Sequence, residues 1–242
     1  MSLETAHRMN PDTVRFTSRQ LLRFLSKGVT LTGEEFIPLH GPAIVVANHM
    51  GNIESLGPYA YLPETPVLIA KIENFEVPVV GDLLRRLHAI PVNREDIDSQ
   101  VIKDASEVLK RQRGIIFTYP EGTRGRDTDG DRTVLKPAKG GVIFIAQLVA
   151  NALNEPIPIS PWAIWGTEGV LPVVDESGPL KQRFAIHRNP VNISIGEPLY
   201  INPSETRRGQ DRKQFMEDQI NTVMLRLRDM LPKQYHGYYA NK

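Results

Sequence analysis

Short apolar runs alternate with amphipathic segments along most of the chain. The runs are compact and rich in β-branched residues, as in 42–47 and 115–119, which is typical of strands that are buried on both faces. Between the runs lie segments such as Ser99 to Arg113, whose apolar residues share one face of a helix. Strands that alternate with helices predict an α/β fold, a single domain with a largely parallel central sheet flanked by helices.

The same pattern predicts where each element lies. We expect strands at 29–31, 42–47, 67–70, 89–92, 115–119, 157–164 and 191–195, and helices at 13–27, 51–61, 80–87, 99–113, 139–153 and 212–231. No Gly-, Pro- or Ser-rich linker separates these elements. The chain is therefore predicted to have an N-terminal tail and amphipathic helix over 1–27, followed by one domain over 28–242.

Two segments bear on contact with membranes. Gly141 to Leu153 is the most apolar stretch, but it is about 13 residues long, whereas a spanning helix needs about 20. We interpret it as a buried helix. Thr13 to Lys27 carries a leucine stripe beside four basic residues, which fits either a surface helix packed on the domain or a helix that contacts a membrane surface.

Composition and charge exclude several classes of function. The chain has 242 residues, with 29 Lys and Arg against 28 Asp and Glu, and 7% of the residues are aromatic. Because the net charge is only +1, we predict no nucleic-acid partner. Cysteine is absent, which excludes disulfides, thiol nucleophiles and cysteine-ligated metal sites. No metal site is predicted.

The residues that follow the predicted strand at 42–47 include a candidate for proton transfer. His49 lies at the strand exit and Glu54 follows five residues later. A carboxylate that bonds one imidazole nitrogen fixes the tautomer and stabilises the imidazolium that forms when the other nitrogen takes a proton. The pair can act as a general base, or it can be part of an ordinary solvated turn.

A second set of residues is suited to binding an anion. Arg94, Arg124 and Lys139 each lie at the end of a predicted strand or the start of a predicted helix. Guanidinium groups bind phosphate through paired donors, helix N-termini favour anions, and a glycine such as Gly122 lets the backbone approach a ligand. These groups can converge on one phosphate, or they can be unrelated surface cations with Glu121 paired to a nearby arginine.

Four blocks, in order, resemble the glycerolipid acyltransferases that acylate glycerol phosphates, in particular the 1-acyl-glycerol-3-phosphate acyltransferases. Residues 48–55 (NHMGNIES) resemble the family's block with a histidine and a carboxylate five positions later. Residues 71–94 resemble the block that starts Lys-x-Glu, contains Pro-x-x-Gly and ends in Arg. Residues 119–124 (YPEGTR) contain the Pro-Glu-Gly-Thr-Arg block complete, and 155–161 (EPIPISP) resemble the final strand. The resemblance runs from about residue 29 to residue 197.

The resemblance implies roles for particular residues. His49 corresponds to the family's general base, Glu54 to the partner of that base, and Lys71 to a lysine near the reacting centre. The residues that correspond to those implicated in holding the glycerol phosphate are Arg94, Glu121, Gly122, Thr123 and Arg124, with Lys139 at a basic position before the next helix.

The chain departs from the family at two of these blocks. Glu54 stands where the family usually has Asp, and His88 stands where a Gly is common. Because Glu is longer by one methylene, it has to meet the imidazole from a different backbone geometry. Hydrophobic anchoring helices are common at the N-terminus in the family, whereas this chain has only the leucine stripe of 13–27.

The function implied by the resemblance is that of an O-acyltransferase in phospholipid biosynthesis. It would move a fatty acyl group from an acyl thioester, acyl-CoA or acyl-ACP, to the free hydroxyl of 1-acyl-glycerol-3-phosphate, giving phosphatidic acid. The thioester is a co-substrate, and no tightly bound cofactor is implied. The implied partners are the lysophospholipid, the acyl carrier and a membrane surface, with the protein cytoplasmic and peripherally associated with the membrane.

Three alternatives stay open at this point. The acceptor can instead be glycerol 3-phosphate or a glycolipid. The protein can be a non-catalytic binder of lipid phosphates. It can also be a thioesterase, in which water takes the place of the acceptor hydroxyl.

Overall fold

A mostly parallel sheet with helices on both faces makes up the molecule. The computed structural model describes residues 9–51, 53–93, 99–122, 133–168, 170, 188–204 and 209–242. Within these residues an eight-stranded sheet is covered by helices. The predicted α/β fold with a largely parallel central sheet is therefore confirmed.

The elements follow the predicted alternation closely. The strands are β1 (Val29–Thr32), β2 (Ala43–Ala47), β3 (Val67–Lys71), β4 (Ile90–Val92), β5 (Ile115–Thr118), β6 (Ile157–Trp165), β7 (Val191–Ile195) and β8 (Leu199–Ile201). The helices are α1 (Pro11–Leu25), α2 (Leu56–Tyr61), α3 (Val80–Arg86), α4 (Ser99–Lys110), α5 (Gly141–Leu153) and α6 (Gly209–Met230). The pattern does not predict β8, because three residues are too few to show a period. The helix predicted to begin at residue 51 begins at Leu56.

The strand order places the carboxyl ends of five parallel strands side by side. The order across the sheet is β1-β7-β6-β2-β5-β3-β4, with β8 on β6. β2 pairs in parallel with both β5 and β6, and β3 pairs in parallel with β5 and β4. β7 and β8 run antiparallel to β6. In such sheets, residues beyond the carboxyl ends of neighbouring parallel strands meet at one edge.

The central strand β2 contributes side chains to two separate hydrophobic cores, one on each face of the sheet. Ile44 and Val46 pack with α4, α5 and α6. Ala43, Val45 and Ala47 pack with α1, α2 and α3. All five residues are fully buried, and burying a Val or Ile side chain contributes about 1.5–3 kcal/mol. This double burial makes β2 a rigid support for the residues that follow it.

Helix α1 is packed on the domain, as one of the two interpretations of its pattern predicts. Val14, Leu22 and Leu25 are buried in the same core as α2 and α3. Two of its basic side chains donate hydrogen bonds to backbone carbonyls of the domain. Arg15 donates to the carbonyl of Pro63 (3.1 Å), and Arg19 donates to the carbonyl of Ala60 (2.7 Å). The division into a part over 1–27 and a domain over 28–242 stays a prediction.

The apolar stretch at 141–153 is a buried helix, as its length predicts. Six of its residues are buried in α5. Among the helices in the described part of the chain, none is long and apolar enough to cross a membrane.

Candidate active site

Asn48 fixes the exit of β2, from which the site begins. Its side-chain amide donates to the carbonyl of Ile164 in β6 (2.6 Å) and accepts from the N–H of the same residue (2.8 Å). This pair of bonds extends the pairing of β2 with β6 by one residue beyond the ladder. This role of Asn48 was not predicted, although an Asn between an apolar run and a candidate base was the signal that the sequence offered.

His49 and Glu54 meet, as the sequence predicts. His49 Nδ1 lies 2.6 Å from Glu54 Oε1, which also accepts the backbone N–H of Gly51 at 2.9 Å. Glu54 is 1% exposed, whereas the His49 side chain is 14% exposed. The longer carboxylate lies in a turn just before α2, in which the N–H of Leu56 donates to the carbonyl of Ile53 (2.9 Å). The departure from Asp therefore leaves the histidine–carboxylate contact intact.

Glu54 is held in its ionised form. Burial opposes the charge and would raise the pKa of this carboxyl. The hydrogen bond and positive charge of His49, with the N–H groups of Glu54 and Gly51, outweigh burial and lower the pKa below its ordinary value. An ionised carboxylate only accepts, so the hydrogen in the contact is on His49 Nδ1.

Glu121 also contacts His49, but through the backbone. Its Oε1 accepts the N–H of His49 (2.9 Å) and its Oε2 accepts the N–H of Lys136 (2.8 Å). Burial raises the pKa of Glu121 to about 7, against the lowering effect of the two N–H groups, and the nearby charge of Glu54 adds to the rise. From the sequence, Glu121 was predicted either to hold the phosphate or to pair with an arginine. In the structure, the two hydrogen bonds of its carboxylate are with backbone amides.

Tyr119 covers one face of the His49 ring. The two ring centroids lie 4.0 Å apart with an angle of 12° between the planes. The Tyr119 hydroxyl lies 2.8 Å from Ser55 Oγ, which ties the ring to the segment that carries Glu54. Neither Tyr119 nor Ser55 was predicted as a site residue. Tyr119 directly precedes the Pro-Glu-Gly-Thr-Arg block, which is the signal that could have marked it.

Gly122 and Lys139, two of the predicted phosphate-site residues, lie next to each other. Gly122 has a φ of 69°, a left-handed conformation that favours glycine. A Cβ at this position would lie 3.9 Å from Lys139 Nζ. Lys139 comes just before α5, and its N–H donates to the carbonyl of Pro120 (2.9 Å). Three further predicted residues of this group, Arg94, Thr123 and Arg124, lie outside the described residues.

An apolar cavity opens beside His49. Its volume is about 540 Å³, and it extends between α1, β3 and α3. His49, Ser55, Lys71 and Tyr119 are among the residues that line it. The Lys71 ammonium pairs with Glu73 at 2.9 Å and is half exposed. The predicted catalytic lysine thus faces the same cavity as the predicted base. The remaining wall is mostly apolar and includes Val14, Leu21, Leu56, Leu68, Val77, Val80, Leu83, Leu84 and Leu87.

The second departure from the family has a backbone explanation. His88 follows the end of α3 with a φ of 55°, and its N–H donates to the carbonyl of Arg85 (3.0 Å). This left-handed conformation just past a helix is the one that glycine adopts most easily. His88 therefore occupies a turn position after α3, not a position among the residues that line the cavity.

Comparisons with known proteins agree with the resemblance. Residues 28–165, more than half of the chain, match the family model described as Acyltransferase. A 1-acyl-sn-glycerol-3-phosphate acyltransferase of Bacillus subtilis (strain 168) is 26% identical over 209 residues, which are 86% of this chain and 92% of that protein. The chloroplastic 1-acyl-sn-glycerol-3-phosphate acyltransferase BAT2 of Brassica napus is 25% identical over 178 residues, which are 73% of this chain. The chain spans 46% of that relative's length.

The fold has a counterpart among solved structures. The crystal structure of the 1-acyl-sn-glycerophosphate (LPA) acyltransferase PlsC from Thermotoga maritima superposes with a TM-score of 0.63. The two sequences are 23% identical, and the match covers 88% of this chain and 78% of that one. At this level of identity, the likeness supports the fold.

Proposed function

The chain belongs to the Acyltransferase family, and from that premise we propose that it transfers a fatty acyl group from an acyl thioester to the free hydroxyl of 1-acyl-glycerol-3-phosphate, giving phosphatidic acid. The observation that carries the proposal is the 2.6 Å contact of His49 with Glu54 beside an apolar cavity. The names of the relatives from Bacillus subtilis and Brassica napus support this choice of acceptor.

In this reaction His49 acts as the general base. Its Nδ1–H is directed to Glu54, so Nε2 is the nitrogen that takes the proton from the acceptor hydroxyl. The acceptor oxygen forms a bond to the thioester carbonyl carbon, the carbon–sulfur bond breaks, and the imidazolium gives its proton to the leaving thiolate. Glu54 stabilises the imidazolium between these steps. Attack by the acceptor itself requires no acyl-enzyme.

The negative charge that develops on the thioester oxygen needs nearby donors. Lys71 lines the same cavity as His49, and its ammonium, together with backbone N–H groups, serves as the oxyanion donor in this proposal. Preorganised donors of this kind account for about 10²–10³ in kcat each. The acyl thioester, on CoA or on an acyl carrier protein, is a co-substrate, and the proposal uses no tightly bound cofactor.

The phosphate of the acceptor is assigned to the turn after β5. Lys139 beside Gly122 supplies a cation and an open backbone there. Thr123, Arg124 and Arg94 are assigned to the same phosphate on the resemblance, since they lie outside the described residues. Binding of the phosphate places the free hydroxyl next to the base, so that the reaction no longer depends on a random collision of the two groups.

The acyl chain of the donor or acceptor is assigned to the cavity. Its volume of about 540 Å³ falls in the range of small-molecule sites, roughly 300–1,000 Å³. Side chains such as Leu68, Leu84 and Leu87 are buried in its wall and offer apolar contact to methylene groups. Burying each methylene contributes about 0.8 kcal/mol.

The substrates are amphiphiles, so we also propose that the protein associates peripherally with a cytoplasmic membrane surface. Leu21 of α1 and Leu83 of α3 are exposed and also line the cavity, which places the cavity mouth between these two helices. Exposed apolar side chains continue from it on α1, at Phe16 and Phe24. Such a patch next to a lipid-binding cavity is suited to a bilayer surface.

Flotation with anionic vesicles tests this surface. The double variant Phe16→Ser with Phe24→Ser should float several-fold less than the unmodified protein, because it loses two exposed aromatic side chains. Tyr200→Ser is the control, since Tyr200 is an aromatic residue on β8 that is 54% exposed, against 62% for Phe16 and 69% for Phe24. Equal flotation of the double variant and the control would reject the assignment of α1 to the membrane.

Acceptor-dependent thiol release tests the proposed reaction. Purified protein with an acyl thioester should release free thiol when lysophosphatidate is added, with phosphatidate appearing in equal amount. Release that proceeds without any acceptor would identify a thioesterase, and binding of lysophosphatidate without release would identify a non-catalytic binder. The same assay with glycerol 3-phosphate or a glycolipid in place of lysophosphatidate identifies the acceptor. If either compound supports faster thiol release, the proposed acceptor is wrong.

A further inference from the structure

The second buried carboxylate of the site, that of Glu121, has no part in the reaction described so far. It is 4% exposed and lies in the turn that follows β5. Its two oxygens accept N–H groups from two distant segments, that of His49 at 2.9 Å and that of Lys136 at 2.8 Å. One carboxylate therefore ties the loop after β2 to the segment that leads into α5.

These contacts do not fit a residue that holds a phosphate. A phosphate is held by groups that donate hydrogen bonds to it, whereas both oxygens of Glu121 serve as acceptors. Each oxygen of Glu121 is already directed to a backbone amide. A turn of Glu121 toward the substrate would leave the amides of His49 and Lys136 without this acceptor, and taking the acceptor from a partly buried amide costs free energy.

We infer that Glu121 is a positioning residue, which acts through the backbone of His49 and not on the substrate. The inference rests on the proposed function for its catalytic consequence. Glu54 fixes Nδ1 of the imidazole, Tyr119 covers one face of the ring, and Glu121 fixes the backbone from which the ring extends. All three constraints are needed because a small displacement of a general base lowers the rate steeply.

Whether substitution of Glu121 changes kcat or KM tests the inference. Glu121→Gln keeps the size of the side chain but replaces one accepting oxygen by an amide that opposes a backbone N–H. We expect kcat to fall at least about 10-fold with the KM for lysophosphatidate unchanged. Glu121→Asp, which keeps both accepting oxygens, should recover part of the loss. A raised KM with unchanged kcat, or full activity of Glu121→Gln, would overturn the inference.

A measurement on the unmodified protein decides the same point independently of folding or turnover. The amide proton of His49 is followed by NMR while lysophosphatidate is added. It should keep its hydrogen-bonded shift and its protection from exchange, because the Glu121 bond is retained. Loss of the bond on addition would show that Glu121 turns to the substrate. Should the protein release no thiol at all, the proposed function fails, whereas this measurement still decides the contact of Glu121.

Discussion

Two regions meet at His49, and they are built in opposite ways. On one side lies the polar cluster, formed by His49, Glu54, Glu121 and Asn48 at the carboxyl ends of β2 and β5. Hydrogen bonds of 2.6–2.9 Å orient these side chains. On the other side lies the apolar cavity between α1, β3 and α3, whose wall consists mostly of apolar side chains.

The difference explains how one site can require a single arrangement of its catalytic groups and still accept lipid chains of different lengths. A hydrogen bond fixes direction as well as distance, so the polar cluster has one working arrangement. Apolar packing is non-directional, and a cavity wall of leucine and valine accepts chains of related length. Changes in the polar cluster should therefore lower kcat for every substrate. Changes in the cavity should instead redistribute preference among substrates.

Glu54→Gln should give the largest effect among the changes that leave His49 in place. The amide keeps the size of the side chain but removes the charge that stabilises the imidazolium, so kcat should fall about 100-fold for short and long acyl thioesters alike. Steady-state thiol release checks this. The matched control is Glu107→Gln, since Glu107 pairs with Arg111 on the far helix α4 and should change kcat by less than twofold. Equal kcat values for the two variants would contradict the claim that changes in the polar cluster lower kcat.

Leu83→Trp should produce a smaller effect of a different kind. Leu83 lines the cavity and is 47% exposed, and Leu148 on α5, which is 41% exposed, is its matched control outside the cavity. A larger side chain in the cavity should lower kcat/KM for long acyl chains about 10-fold relative to short ones. Leu148→Trp should leave the ratio unchanged. A uniform loss of kcat in Leu83→Trp would contradict the assignment of the acyl chain to the cavity.

Tyr119→Phe should give the smallest effect, at the border of the two regions. It keeps the ring stacked on His49 but removes the hydroxyl that contacts Ser55, a bond that contributes about 1 kcal/mol. We expect kcat to fall about fivefold, with Ser55→Ala giving a similar loss. Because both variants remove one contact, the double variant should be no worse than either. Losses that multiply would show that the hydroxyls act separately.

The polar cluster was predictable where its contacts are local in sequence. His49 and Glu54 are five residues apart, directly after an apolar run whose strand character is clear. This spacing allowed either a contact or an ordinary solvated turn, and the resemblance to the family favoured the contact. The alternation of apolar runs likewise predicts the parallel sheet. The start of α2 was predicted too early, because the turn that returns Glu54 to His49 lacks a pattern of its own.

The contacts that join distant segments were not predictable. Glu121 reaches the backbone of His49 across 72 residues, and which backbone amide a carboxylate will find depends on the register of β2 against β5. The cavity is harder still, since Val14, Leu68 and Leu84 come from three separate elements. In the sequence each of them looks like an ordinary core residue, because core and cavity wall have the same composition.

The central claim is that the imidazole of His49 takes the proton of the acceptor hydroxyl. Its most direct test is kcat for thiol release by His49→Ala and by the unmodified protein, both at saturating lysophosphatidate and with folding checked by circular dichroism. The account predicts that the folded variant loses at least about 100-fold in kcat. A folded His49→Ala protein with undiminished kcat would contradict it.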